Sequence, residues 1–141
     1  MEVYRHTQFS YWMSAIWLVM GGILITLAYT VEAHFLYLAI LLLLLVILLL
    51  FHSLTTRVQD DSLAFWFGVG LIRKQIPLSE IVHTQIVRNP WYYGWGIHLT
   101  PHGWVYNIAG WQAVEMELRS GKKFRLGTDE PEQLLVALKK L

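Results

Sequence analysis

Residues 35–51 read FLYLAILLLLLVILLLF, seventeen positions without a charge, an amide, a glycine or a proline. No soluble core of this chain length accommodates such a run. With His34 before it and His52-Ser53-Leu54 after it, the segment reaches the roughly 20 residues that cross about 30 Å of hydrocarbon as a helix. A helix also satisfies every backbone N–H and C=O internally, as lipid requires. A second run, FSYWMSAIWLVMGGILITLAY from Phe9 to Tyr29, is of similar length. Tyr11 and Trp12 at one end and Tyr29 at the other suit interfacial aromatic belts. The run is too long and too aromatic for the 7–15-residue core of a signal peptide. Only residues 30–33 separate the two runs, so residues 1–56 are expected to form a helical hairpin with spans at about 9–29 and 34–54.

Lysine and arginine bias sets the expected orientation. The connector holds Glu32 and no basic residue, whereas Arg5 precedes the first run and Arg57, Arg73 and Lys74 follow the second. Both termini are expected on the cytoplasmic side of a bacterial inner membrane. Gly22, Thr26 and Thr30 recur every four residues and form a small-residue stripe that permits close helix approach. The stripe has two readings, packing against the second helix or contact with another subunit.

Beyond Leu54 the apolar period falls to two. Residues 54–59, 63–67, 72–76, 81–88, 97–100, 104–109, 114–118 and 122–126 are strand-like. Turn signals separate them at Asp60-Asp61-Ser62, Gly68-Val69-Gly70, Pro101-His102-Gly103 and Ser120-Gly121. Asp129, with Pro131 and Glu132 behind it, opens an amphipathic helix in capping-box fashion. Leu134, Leu135, Leu138 and Leu141 supply its apolar face, and Lys139 and Lys140 suit its negative end. Residues 57–141 are thus expected to form an all-β barrel or sandwich of about seven strands closed by one helix.

The ordered segments 67–81, 88–110 and 114–134, set behind two apolar helices, resemble the bacterial PH-like (pleckstrin-homology-type) membrane proteins. The resemblance covers about residues 57–141 and implies two roughly orthogonal sheets capped by a C-terminal helix. Phosphoinositide-binding PH domains carry basic residues at the first strand-to-strand loop. The matching loop here, Gln59-Asp60-Asp61-Ser62, is acidic and would repel a phosphorylated headgroup.

The absence of cysteine excludes disulfides and thiolate chemistry. A net charge of +1 gives no clustered basic surface of the kind nucleic acid requires. His98 and His102 fall in a strand and its turn, where a four-residue spacing does not converge on a metal. No nucleophile elbow, phosphate-cradling glycine loop or paired metal motif is present, so neither an enzyme nor a cofactor is expected.

Two surfaces remain as candidates. The loop Arg88 to Gly96 carries Trp91, Tyr92, Tyr93 and Trp95, rings that either rest on a partner or headgroup layer or fill the mouth of the β-unit. The turn at Lys122 and Lys123 either faces an anionic leaflet or pairs with glutamates of the neighbouring strand. The expected function is a protein-interaction or self-assembly module at a membrane surface. A lipid-headgroup sensor and a small accessory or assembly subunit of a larger complex are the alternatives.

Overall fold

The apolar runs form two antiparallel helices, α1 (Tyr11–Thr30) and α2 (His34–Phe51). Both are long and apolar enough to cross a membrane, and none of their residues is buried by the rest of the protein. The computed structural model describes residues 2–139. Lys140 and Leu141, expected in the last turn of the C-terminal helix, lie outside the described residues.

The helices do not sit ahead of the β-unit; they interrupt it. Strand β1 (Glu2–Phe9) pairs antiparallel with β2 (Ser53–Gln59), from Phe9 opposite Ser53 to Glu2 opposite Gln59. The N–H of Ser10 donates to the carbonyl of His52 at 3.1 Å, closing the ladder at the point where the helices leave. The boundary expected at 56/57 therefore falls inside a strand. The spans are also shorter than expected at this end, because Phe9, Ser53 and Leu54 belong to the sheet.

Strands β3 (Ser62–Phe67) and β4 (Ile72–Pro77) complete a four-stranded antiparallel sheet in the order β1-β2-β3-β4. The turn between β2 and β3 places Asp60 and Asp61 at φ 47° and 58°, the pair of left-handed residues that a tight hairpin uses. The second sheet contains β5 (Ile81–Arg88), β6 (Gly96–Thr100), β7 (Gly103–Asn107), β8 (Gln112–Leu118) and β9 (Lys123–Gly127). Its order is β5-β8-β9-β7-β6, with β7 and β9 parallel. The described strands number nine, not about seven.

The inward faces of both sheets supply one core, including Leu54, Val58, Leu63, Phe65 and Phe67 from the first and Val114, Met116, Phe124 and Leu126 from the second. Helix α3 (Pro131–Lys139) closes one end with Leu134 and Ala137 buried. Its entry differs from the expected capping box. Thr128 Oγ1, not Asp129, accepts an amide there, that of Glu130 at 3.0 Å. Asp129 Oδ1 instead meets His6 Nε2 at 2.7 Å, and Tyr4 donates to Glu130 at 3.3 Å, so β1 is pinned to the start of α3. Burial and the charge of Glu130 push the Tyr4 phenol well above its ordinary range.

The sheets face each other without closing into a barrel. Between β4 and the β6–β7 hairpin lies a groove of about 270 Å³ lined by Phe65, Phe67, Ile72, Trp104 and Tyr106. Lys74 reaches across it, its Nζ 3.2 Å from the Tyr106 hydroxyl.

On α1, Gly21 meets Leu41 of α2, whereas a Cβ built on Gly22 finds nothing within 4 Å. Gly22, Thr26 and Thr30 are exposed, and each threonine hydroxyl donates to the carbonyl four residues back. The small-residue stripe thus lies outside the contact between the two helices.

Candidate functional site

The end of the β-unit from which the helices leave is built from three loops. The first is the β3–β4 turn. Gly68 donates to the Ser53 carbonyl at 2.9 Å, and its φ is 48°. A Cβ at Gly68 would collide with the Leu49 and Leu50 carbonyls, so only glycine lets this turn lie against the end of α2. The turn leaves Val69 and Leu71 exposed at 62% and 80%, beside the helix rather than in the core.

The second is the loop 107–111. Gln8, next to the last residue of β1, donates through Nε2 to the Ala109 carbonyl at 3.1 Å. Asn107 shapes the loop by donating to the Gly110 carbonyl and accepting the Ala109 amide. The third is the aromatic loop, joined to the second where the Asn89 N–H donates to the Trp111 carbonyl at 2.6 Å. The Trp95 and Trp111 rings pack at 6.4 Å.

Within the aromatic loop the rings divide by role. Residues 91–93 form one 3-10 turn after Pro90. Tyr93 is buried, with its hydroxyl 2.6 Å from His102 Nδ1 and its ring 6.0 Å from the Arg125 guanidinium. Trp95 is half-buried. Trp91 and Tyr92 are 77% and 67% exposed and hold each other edge to face at 5.9 Å. The rings thus differ in burial: Tyr93 is a fixed support inside the β-unit, and Trp91 and Tyr92 are exposed side by side. Arg88, exposed at the end of β5, stands at the base of the same loop.

Beneath Tyr93 lies a hydrogen-bonded polar cluster on the outer face of the second sheet, in which the buried Asn89 Nδ2 alone meets no acceptor among the described residues. Arg125 Nε donates to Glu115 at 2.8 Å, Arg125 Nη1 to Asn89 at 3.1 Å, and Gln85 to the other Glu115 oxygen at 2.8 Å. Burial by itself would raise the Glu115 carboxyl. The bonds from Arg125 and Gln85, with the Arg125 charge, outweigh it and hold the group below the usual carboxylate range.

Lys122 and Lys123 lie elsewhere. Their turn is tied to the opposite end of the first sheet, because Arg119 donates from N to Glu80 and from Nε to Ser79, and Leu78 donates to Asp61. Lys123 Nζ is 3.5 Å from Glu117, the glutamate pairing that the sequence offered as one reading. The structure thus gathers Arg88 and the aromatic loop at the end where the helices leave, and places the lysines at the far end.

His98 bonds the Trp95 carbonyl and His102 bonds Tyr93, so each histidine is used locally. Among the described residues no group of three or more His, Asp or Glu is placed to hold a metal ion.

One grouping escaped the sequence reading: Arg5, Arg57 and Trp66 beside Arg73 on the outer face of the first sheet, of which only Arg73, with Lys74, stands out in the sequence as a short basic group. Arg5 and Arg57 served there only as markers of orientation. Their convergence follows from the β1–β2 ladder, which spans the entire helical hairpin.

No protein-family model, curated protein or solved structure matches this chain.

Proposed function

We propose that this chain is a two-pass bacterial inner-membrane protein whose PH-like β-unit serves as a protein-interaction module at the cytoplasmic surface. Two apolar helices without a single buried residue support the membrane reading, since soluble proteins rarely leave a continuous apolar surface of that size to water. The clustering of Arg5, Arg57 and Arg73 on the β-unit side, opposite Glu32, supports the orientation.

The observation that carries the interaction reading is the exposed pair Trp91 and Tyr92, seated on a base fixed by Tyr93, Asn89 and Arg125. Rigid aromatic rings with a polar tip give large contact area at low entropic cost, and Trp and Tyr are among the residues that dominate binding energy. The occupant is a protein partner or a second copy of the chain.

The test is the double variant Trp91→Ala/Tyr92→Ala in the full chain, purified in mild detergent and compared with wild type by mass and by co-purifying protein. Expected is loss of assembly mass or partner with the unfolding transition unchanged. Assembly that persists in a normally folded variant would sink this reading. Trp95 and Tyr93 stay intact because they support the fold.

A further inference from the structure

The outer face of the first sheet carries three arginines and no ion-paired acid. Register places Arg5 directly opposite Arg57 and Trp66 directly opposite Arg73. Side chains alternate along a strand, so these four point away from the core formed by Leu54, Val58, Phe65 and Phe67. Like charges placed directly opposite destabilise a strand pair. Among the described residues no carboxylate lies within ion-pair distance of any of the three; the ion pairs present belong to His6, Lys123 and Arg125. Asp60 lies in the turn after Arg57 and is bonded to Gln59.

The arginines are nonetheless held in place. Arg57 and Arg73 lie 5.6 Å and 5.2 Å from the centroid of the same Trp66 ring. Arg57 Nε is buried and meets no acceptor. A buried donor without a partner is costly, and guanidinium groups fixed in a fork are suited to a bidentate oxyanion.

The height of this face agrees. Thr55, opposite Trp66, is two residues beyond the start of β2 at Ser53, and Arg57 is four. At 3.3 Å per residue these rows lie roughly 7 and 13 Å from the start of the strand. A bilayer headgroup layer is roughly 5–8 Å deep on each side. With the strand along the membrane normal, Trp66 and Arg73 fall within it, whereas Arg5 and Arg57 stand beyond it and meet it only by extending their long side chains. The exposed Val69 and Leu71 sit on the turn just before Arg73, an apolar edge beside a basic face.

We infer that Arg57 and Arg73, which flank Trp66, and Arg5, opposite Arg57, form a binding face for a phosphate group, supplied by the anionic phospholipid headgroups of the adjacent leaflet. The lipid source rests on the reading of α1 and α2 as membrane spans; the phosphate chemistry does not.

The experiment uses the full chain in mild detergent and compares wild type, Arg57→Gln, Arg73→Gln and Arg57→Lys. One arm reconstitutes each protein into nanodiscs of mixed phosphatidylglycerol and phosphatidylcholine and measures the lipid retained by native mass spectrometry. Wild type is expected to enrich phosphatidylglycerol, and each Gln variant to lose about five-fold of that preference, the effect of one basic residue near an anionic surface. Arg57→Lys is expected to lose less, since it keeps the charge.

A second arm titrates inorganic phosphate in detergent and reads the unfolding temperature. Stabilisation by millimolar phosphate that both Gln variants abolish, without lipid enrichment, assigns the face to a soluble phosphate and overturns the lipid source. Neither enrichment nor phosphate stabilisation in wild type, or full retention of both in folded Gln variants, overturns the site. Alkaline extraction of native membranes tests the spans separately, so failure of the membrane reading is distinguishable from failure of the site.

Discussion

The outer faces of the two sheets use the same residue in opposite ways. On the second sheet Arg125 is buried, paired with Glu115 and Asn89, and roofed by Tyr93. On the first sheet Arg57 and Arg73 flank the ring of Trp66, with Arg5 opposite Arg57, and among the described residues no carboxylate joins them. Proximity of cations to aromatic rings is common to both, so it does not distinguish a structural arginine from one available to bind. What distinguishes them is whether a carboxylate and a roof accompany the guanidinium. Arg125 has both and is committed to the fold.

That contrast breaks most sharply at Arg125. Arg125→Met leaves Glu115 charged, buried and bonded only to Gln85. Removing one partner of a buried pair costs about 3–5 kcal/mol, so the variant is expected to lose most of its margin in denaturant unfolding of the full chain in detergent. A loss below about 1 kcal/mol, the size of an exposed pair, would place the Arg125 pair in the same class as the surface arginines.

Acid provides the intermediate effect. Because the folded protein holds the Glu115 carboxyl below its ordinary value near 4.3, the unfolded chain binds the extra proton first. The stability this group contributes is complete above that value and is lost as pH falls through it to the folded value. The stability gap between wild type and Glu115→Gln, measured from pH 7 downward, is expected to narrow below about pH 4.3. A gap constant to pH 3 contradicts this.

The smallest effect belongs to the first sheet. In detergent without anionic lipid, Arg57→Gln and Arg73→Gln are each expected to change unfolding free energy by no more than about 0.5 kcal/mol, as is usual for substitutions outside buried networks. Equilibrium unfolding in the same detergent checks it. A loss as large as that at Arg125 would make these arginines structural.

What the sequence revealed tracks how each element signals itself. The α2 run and the alternation of Val114, Met116 and Leu118 against Glu115 and Glu117 are visible without any partner, and both elements appear in the structure, α2 ending at Phe51 and β8 with Glu115 buried as well as its apolar face. Strand β1 was invisible for a physical reason. Its inward positions are Tyr4, His6 and Gln8, polar-tipped residues that bond to Glu130, Asp129 and Ala109. No period-two hydrophobic signal exists in that segment. The parallel pairing of β7 with β9 is likewise a non-local choice that neither strand announces. The aromatic loop was legible as a set, but not the division between buried Tyr93 and exposed Trp91 and Tyr92, which depends on where Arg125 and His102 come to lie. The arginine face was unreadable because the register of β2, β3 and β4 decides that Arg57 and Arg73 meet at Trp66, and Arg5 joins them only when strands on either side of the helices pair.

That last arrangement has a consequence for how the molecule is made. During synthesis β1 emerges first and has no partner until both helices have been completed and β2 follows. At typical elongation rates the wait is about two to nine seconds. If the helices cross a bilayer, β1 and β2 meet only when the chain has gone out and come back. A chain stalled after one crossing would leave them on opposite sides, with the β1 edge of the first sheet missing and α3 without its anchor at His6 and Tyr4. In that case completion of the sheet reports correct insertion: the β-unit finishes folding only after the apolar hairpin has been threaded out and back.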